Sequence, residues 1–326
     1  MIEANPDRLT EVAGIGKKTA RHIAGAWQSH HAARQLVRFL EEAGVDTAYA
    51  GRLLREYGSD VIDILCNDPY RVAEDIPRIG FRIADAIVRH ADTPVDEMDR
   101  ARACMFHLFE QAVDQGHAYI AQDQLFDQCR DTFDVEPETG SAALDHLVQA
   151  GELVVSDEAH GADSPLVFPR LLHQAETVIA RRVSAMQSIP LADTPPDSRL
   201  ITEEVLKKLS ITLSTQQEEI LSQMLSHKVS VITGGPGTGK TTLIRSITAV
   251  MEKLGRRVML AAPTGRAARR LAEVTHRPAA TLHKALGYNL ADGRFERTED
   301  DPLSADVVVV DEASMVDTLL MEHLIR

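Results

Sequence analysis

The chain is poor in the residues that make covalent and metal frameworks. Only three cysteines occur in 326 residues, Cys66, Cys104 and Cys129, an odd number at wide spacing. That excludes a full disulfide framework and a Cys-x-x-Cys zinc site, and it suits a reducing cytosol. No apolar run approaches 18 residues, and the N-terminus lacks the apolar stretch of a signal peptide, so the reading is of a soluble, cytoplasmic chain. Low-complexity tracts are missing as well. Histidines are numerous but scattered: the adjacent His30 and His31 would diverge by about 100° on a helix and read as polar surface, not as a shared metal site.

Net positive charge is also missing. The formal charge is −14, but it is unevenly spread. Residues 1–90 hold 12 basic and 13 acidic side chains, residues 91–210 hold 9 and 22, and residues 211–326 hold 14 of each. Nearly all the excess acid lies in the middle, so either end can present a local basic face, whereas the middle is a poor candidate for gripping a polyanion.

What the chain does have is a phosphate-binding signature. Residues 229–242 read VSVITGGPGTGKTT, and Gly234–Thr241 fit G-x-x-x-x-G-K-[ST] without a gap. The pattern predicts a strand over 229–233, a loop of Gly234, Gly235, Pro236, Gly237, Thr238 and Gly239, and a helix opening at Lys240. Such a loop curls backbone N–H groups around a phosphate, and Lys240 reaches the β- and γ-phosphates. Thr241, followed by Thr242, is placed to hold Mg²⁺. A chance match in a chain of this length is on the order of one in a hundred.

Some 70 residues on, Ala305–Glu312 reads as a buried parallel strand ending in two carboxylates. Asp311 is the expected Mg²⁺ partner, commonly through water, and Glu312 the group that orients and deprotonates an attacking water. ATP and Mg²⁺ are therefore the expected cofactors, and Lys240, Asp311 and Glu312 the catalytic set.

The first 90 residues hold a loose repeat. Leu9–Ile23 contains Gly14-Ile15-Gly16-Lys17-Lys18, and it is echoed by Val72–Ile87 with Arg78-Ile79-Gly80-Phe81-Arg82. Each copy predicts a short helix, a tight turn and a second helix. The repeat resembles the helix-hairpin-helix motif, which holds the DNA backbone without reading sequence. Gly14, Gly16 and Gly80 would allow close approach, and Lys17, Lys18, Arg21 and Arg82 would add charge. With Arg78 standing where the first copy has Gly14, the second hairpin is the weaker one. A purely structural role for either hairpin stays open.

Between polar, proline-containing stretches at 91–99 and 187–199 the pattern gives a helix over 100–115, an extended piece at 118–120, helices over 122–131 and 138–150, and a hairpin pairing 152–155 with 166–168. That order is winged-helix-like, with scaffold or protein contact favoured over DNA by its acidity. The expected organisation is thus multidomain: an all-α tandem helix-hairpin-helix region (1–94), a winged-helix-like α+β domain (95–190) and an α/β P-loop NTPase domain of RecA-like type with a parallel sheet (191–326).

Three further segments narrow the family: AAPTGRAARRLAE at 261–273, TLHKALGY at 281–288 and DEASMVD at 311–317. Together they resemble the RecD/TraA branch of superfamily 1 DNA helicases, and the tandem hairpins resemble the N-terminal region of RecD-like helicases that act without RecB and RecC partners. The resemblance covers essentially the whole chain. It implies a 5′-to-3′ ATP-dependent DNA helicase of replication, recombination or repair. By the family pattern Gln217 would contact adenine, with Gln216 leaving a register ambiguity, while Thr264, Gly265 and Arg266, then Thr281 and His283, would touch the single-strand backbone. The chain begins almost at the hairpins and ends shortly after the Asp-Glu strand, so the expectation is the N-terminal part of a helicase. Such a part would bind ATP-Mg²⁺ and DNA, hydrolyse slowly and not unwind. Two other readings stay open: a DNA-binding module whose nucleotide site is a switch, and a P-loop ATPase that does not act on DNA.

Overall fold

A computed structural model describes residues 15–76, 80–91, 96–157, 164–189, 198–235 and 237–326, with Thr10 and Val12 as isolated positions. Gly14 and Pro236 of the expected site lie outside the described residues. The chain divides into two compact units, residues 1–170 and 171–326.

The first unit opens with α1 (Lys17–Glu42), α2 (Ala50–Tyr57), α3 (Val61–Asn67), α4 (Arg71–Asp75) and α5 (Gly80–Ala91). Leu36 and Leu40 of α1, Leu53, Val61, Leu65, Val72 and Ile76 bury together with Ile83 and Ile87 of α5. Next come α6 (Glu97–Asp114), β1 (Ile120–Ala121), α7 (Gln122–Phe133), α8 (Pro137–Gln149), β2 (Leu153–Ser156), β3 (Leu166–Pro169) and α9 (Arg170–Ser188). The strands form an antiparallel sheet in the order β1-β3-β2, with Ile120 opposite Val167 and Val155 opposite Val167 on the other side. This is the helix–strand–helix–helix–hairpin order read from the sequence. The expected break at 91–99 is shorter than its composition suggested: Asp96 already caps α6, accepting from Met98 N at 2.9 Å.

α5 is a shared wall. Ile83 and Ile87 face the first core, whereas Phe81 and Ala84 belong to a second core with Cys104, Met105, Leu125, Leu147 and Val167. At the seam, buried Asp85 accepts from Tyr70 Oη at 3.1 Å, Arg100 Nε at 2.9 Å and Arg89 Nε at 2.9 Å. Arg100 also donates to the Phe133 carbonyl. A buried carboxylate is tolerable because each neighbour supplies a donor. Burial first, then Asp85, pushes the Tyr70 hydroxyl up from its ordinary range.

The second unit contains all of α9 but its first residue, then α10 (Ser198–Leu209), α11 (Thr215–Met224), α12 (Lys240–Lys253), β4 (Val258–Ala262), α13 (Gly265–Thr275), β5 (Ala279–Thr281), α14 (Leu282–Ala285), β6 (Tyr288–Asn289), β7 (Arg294–Phe295), β8 (Val307–Val310) and α15 (Thr318–Ile325). Its main sheet is parallel in the order β5-β4-β8. α12 is enclosed on several sides, and even Ser246 and Thr248 are buried, their hydroxyls donating back to the Thr242 carbonyl at 2.9 Å and the Ile244 carbonyl at 2.7 Å. Leu243 and Ile247 pack with Leu213 and Leu221, Ile244 with Leu260 and Leu271, and Ala249 and Val250 with Val205.

Two strand expectations need correction. Residues 229–233 are not a strand: Val231 is 85% exposed, and only Ile232 packs, against the cluster of Leu213, Leu221 and Leu243. An apolar strand forms only where a neighbour satisfies its backbone groups, and among the described residues no strand stands beside this one. For the same reason β8 is not fully buried. Among the described residues it pairs with β4 along one edge only, and Val308 is exposed.

Candidate active site

In a parallel sheet every strand delivers its following loop to the same edge. Here Ala262 pairs with Thr281 and Ala261 with Val310. Thr264–Arg266 after β4, Thr281–His283 at the end of β5 and Asp311–Glu312 after β8 therefore leave the sheet side by side. Asp311 N extends the ladder by donating to Ala261 O at 3.0 Å. The Asp311 carboxylate accepts from Glu312 N at 3.0 Å. Glu312 sits in the left-handed region, φ 52°, a conformation costly for a residue with a long side chain. Its side chain is exposed.

The phosphate loop turns through two left-handed glycines, Gly237 (φ 78°) and Gly239 (φ 85°), positions that L side chains rarely adopt. α12 begins directly at Lys240 with Gly239 as its uncapped N-cap, so its first N–H groups point into the loop. The Lys240 ammonium donates to the Gly234 carbonyl and, at 2.9 Å, to the Gly235 carbonyl. Thr238 Oγ1 donates to the same Gly235 oxygen at 2.9 Å. Thr241 and Thr242 are half-buried in the first turn of α12.

Gln217 is half-buried and Gln216 exposed. Ser214 Oγ accepts from Gln217 N, Gln217 Oε1 accepts from Ser214 N at 3.0 Å, and Gln217 Nε2 donates to Thr238 O at 3.1 Å. One side chain thus completes a capping box and fastens helix α11 to the phosphate loop, a link that the sequence signalled only through Ser214-x-x-Gln217.

The two family threonines are helix caps. Thr264 Oγ1 accepts from Ala267 N and Thr281 Oγ1 from Lys284 N, both at 3.2 Å. Gly265 and Arg266 are exposed. His283 is exposed and lies edge-on to Tyr288, with ring centroids 5.3 Å apart; Phe295 and His323 complete that aromatic group. Sequence reasoning missed it, because the four residues meet only through the β6–β7 hairpin and α15.

In the first unit, Gly16 precedes α1 with no side-chain cap, open space where a Cβ would stand, and exposed Lys17, Lys18 and Arg21 beyond it. Gly80 stands in different surroundings. It is buried, its N–H already donates to Ile76 O at 2.9 Å, and a Cβ would collide with the Val72 carbonyl. Its missing side chain lets α5 close on α4, and its own N–H is taken by Ile76, while Arg82 in the next turn is exposed.

Comparison with known proteins agrees with this layout. Residues 217–326 match the AAA domain family, residues 29–119 the HHH domain of the ATP-dependent RecD2 DNA helicase, and residues 1–28 a SAM-like helix-hairpin-helix tandem. The chain is 31% identical to the ATP-dependent RecD2 DNA helicase of Deinococcus radiodurans, over 100% of this chain and 46% of that protein. It is 34% identical to the RecBCD enzyme subunit RecD of Mycobacterium tuberculosis, over 50% of this chain and 30% of that subunit. The chain thus spans about half the length, or less, of these relatives. The hairpin and P-loop matches, in this order and with whole-chain similarity, place the chain in the RecD-like family of ATP-dependent DNA helicases.

Proposed function

We propose that residues 1–326 carry the DNA-gripping hairpins and the nucleotide-binding lobe of a 5′-to-3′ DNA helicase acting in replication, recombination or repair. The observation that carries this reading is the single sheet edge from which Thr264–Arg266, Thr281–His283 and Asp311–Glu312 all emerge. One edge then serves a triphosphate and a DNA strand together, which is what coupling hydrolysis to movement requires. Domain limits near 94 and 190 fit this division of labour. The middle region is read as a winged-helix-like scaffold, because its third helix, α8, exposes Glu138 and Asp145 and contains no lysine or arginine.

On nucleotide binding, Lys240 exchanges its two loop carbonyls for β- and γ-phosphate oxygens, and the first N–H groups of α12 face the anion. Gln217 contacts the adenine in this reading, giving up its bond to Thr238 O to do so. Mg²⁺ suits the donor set: a hydroxyl from Thr241 and a carboxylate from Asp311 are hard oxygen ligands. Thr241 and Asp311 are the residues that would hold Mg²⁺ when the triphosphate is bound. Held there, Mg²⁺ would supply charge neutralisation on the transferring phosphate. Glu312 orients the attacking water and takes its proton. Thr264, Gly265, Arg266, Thr281 and His283 contact a single strand, and Gly16, Lys17, Lys18 and Arg21 hold DNA backbone. This lobe by itself is expected to hydrolyse slowly and not to unwind.

ATPase measurements with and without single-stranded DNA test the reading. Stimulation by DNA, lost in Lys240→Ala and in Glu312→Gln, supports a motor site. Glu312→Gln that keeps ATP-linked DNA affinity, in a protein whose hydrolysis DNA never stimulates, favours the switch. Hydrolysis indifferent to DNA, with no DNA binding at low salt, overturns the reading.

A further inference from the structure

From Lys17 to Leu40 helix α1 contains no aspartate or glutamate. At the chain's own frequency, 49 acidic residues in 326, a stretch of this length would hold roughly three or four. It holds instead Lys17, Lys18, Arg21, Arg34 and Arg38, three histidines, and Trp27, the single tryptophan of the chain. Trp27 is 41% exposed, and among the described side chains of α1 it is the one large apolar group so exposed.

Helical spacing sorts these residues. Positions 27, 31, 34 and 38 follow i, i+4, i+7, i+11 and fall on one side. Leu36 and Leu40, fully buried in the first core, fix the inward side about 170° away. Arg34 is exposed and has no ion-pair partner among the described residues. Arg38 Nε donates to Glu42 at 2.8 Å, but both side chains are mostly in water, where such a pair is weak and readily exchanged. Two arginines four residues apart repel each other. A helix face kept for solubility alone would intersperse carboxylates.

We propose that this outer side of α1 is a second nucleic-acid contact surface, with Arg34 and Arg38 taking phosphates and Trp27 stacking on an unpaired base. It rests on the reading that this unit binds DNA. The new surface lies about 25 Å along the helix from the turn at Gly16. The chemistry favours a nucleic acid over a lipid surface: a membrane-bound helix buries a broad apolar stripe, and here a lone indole stands among cations.

The single tryptophan makes the test direct. The whole chain is titrated with an oligothymidine, following Trp27 emission and, in parallel, the anisotropy of a labelled copy. Quenching that saturates with the anisotropy change is the expected result. Trp27→Ala weakens binding about fivefold or more, and Arg34→Ala lowers the salt slope by about one. Lys17→Ala, Lys18→Ala and Arg21→Ala combined weaken binding but keep the quench at saturation. Anisotropy binding with unchanged Trp27 emission and unaltered affinity in both stripe variants overturns the inference and leaves the hairpin reading standing. No binding by either signal at low salt overturns both. Quenching by phosphatidylglycerol vesicles but not by the oligonucleotide overturns nucleic acid as the occupant.

Discussion

Gln217 Nε2 donates to the carbonyl oxygen of Thr238 at 3.1 Å, so the cap of one helix also holds the loop in front of another. Gln217→Ala removes both the reciprocal half of the capping box and the tether. Unfolding stability should fall by about 1 kcal/mol, and ATP affinity should fall with it, as read by titration of a fluorescent ATP analogue. Gln216→Ala, at an exposed position without these bonds, should leave both unchanged; equal effects from the two variants would reverse the register assigned to Gln217.

Gly16 and Gly80 occupy equivalent places in the repeat but do different work. Gly80→Ala drives a methyl into the Val72 carbonyl, and a forced fit of this kind should cost about 1–3 kcal/mol in denaturant unfolding. Gly16→Ala meets open space at φ −80° and should change stability by less than about 1 kcal/mol while lowering DNA affinity. A Gly80 variant as stable as the parent would show that α4 and α5 have room to separate.

Asp306 accepts from Arg257 through both its backbone N–H at 2.8 Å and its guanidinium at 3.2 Å, pinning the start of β8 to β4. The side-chain bond first, then the backbone bond, lowers its pKa to about 2. With an unfolded value near 3.9, the contribution is fully present above that pH and is lost as pH falls toward about 2. Thermal unfolding midpoints between pH 5 and pH 2 should therefore drop less steeply in Asp306→Asn than in the parent. Parallel profiles would mean that the pair contributes nothing on balance.

The three cysteines should separate by reactivity. Cys66 is exposed, whereas Cys104 and Cys129 are buried with their sulfurs 3.8 Å apart. The hydrogen bond to Cys129, then burial, pushes the Cys104 thiol up, away from the reactive thiolate. A thiol reagent should titrate one group in the folded chain and three after denaturation. Fast labelling of a second group would reveal opening of the seam between α6 and α7.

The repeated and periodic parts of this fold were legible because they are local. The phosphate-loop glycines, the Asp311–Glu312 strand end and the helices of the middle region each announce themselves within a few residues. Non-local facts were not legible. The apolar run at 229–233 carries the composition of a strand, but pairing depends on a neighbour that no local pattern reveals. Gly80 and Gly16 look alike in sequence, and only the approach of Val72 separates them. Asp85 reads as one more acid on a helix, although Tyr70 just ahead of α4, Arg89 of α5 and Arg100 of α6 all donate to it.

The open side of β8 also bears on how the protein must be handled. Among the described residues, the four consecutive valines of β8 have no strand partner along that edge, and none of the four is a proline or lysine that would blunt it. Such an edge is a template for a second copy of itself. Concentrated or warmed samples should lose material through intermolecular β-pairing before the helical unit melts, and a charge placed at Val308 should extend their shelf life.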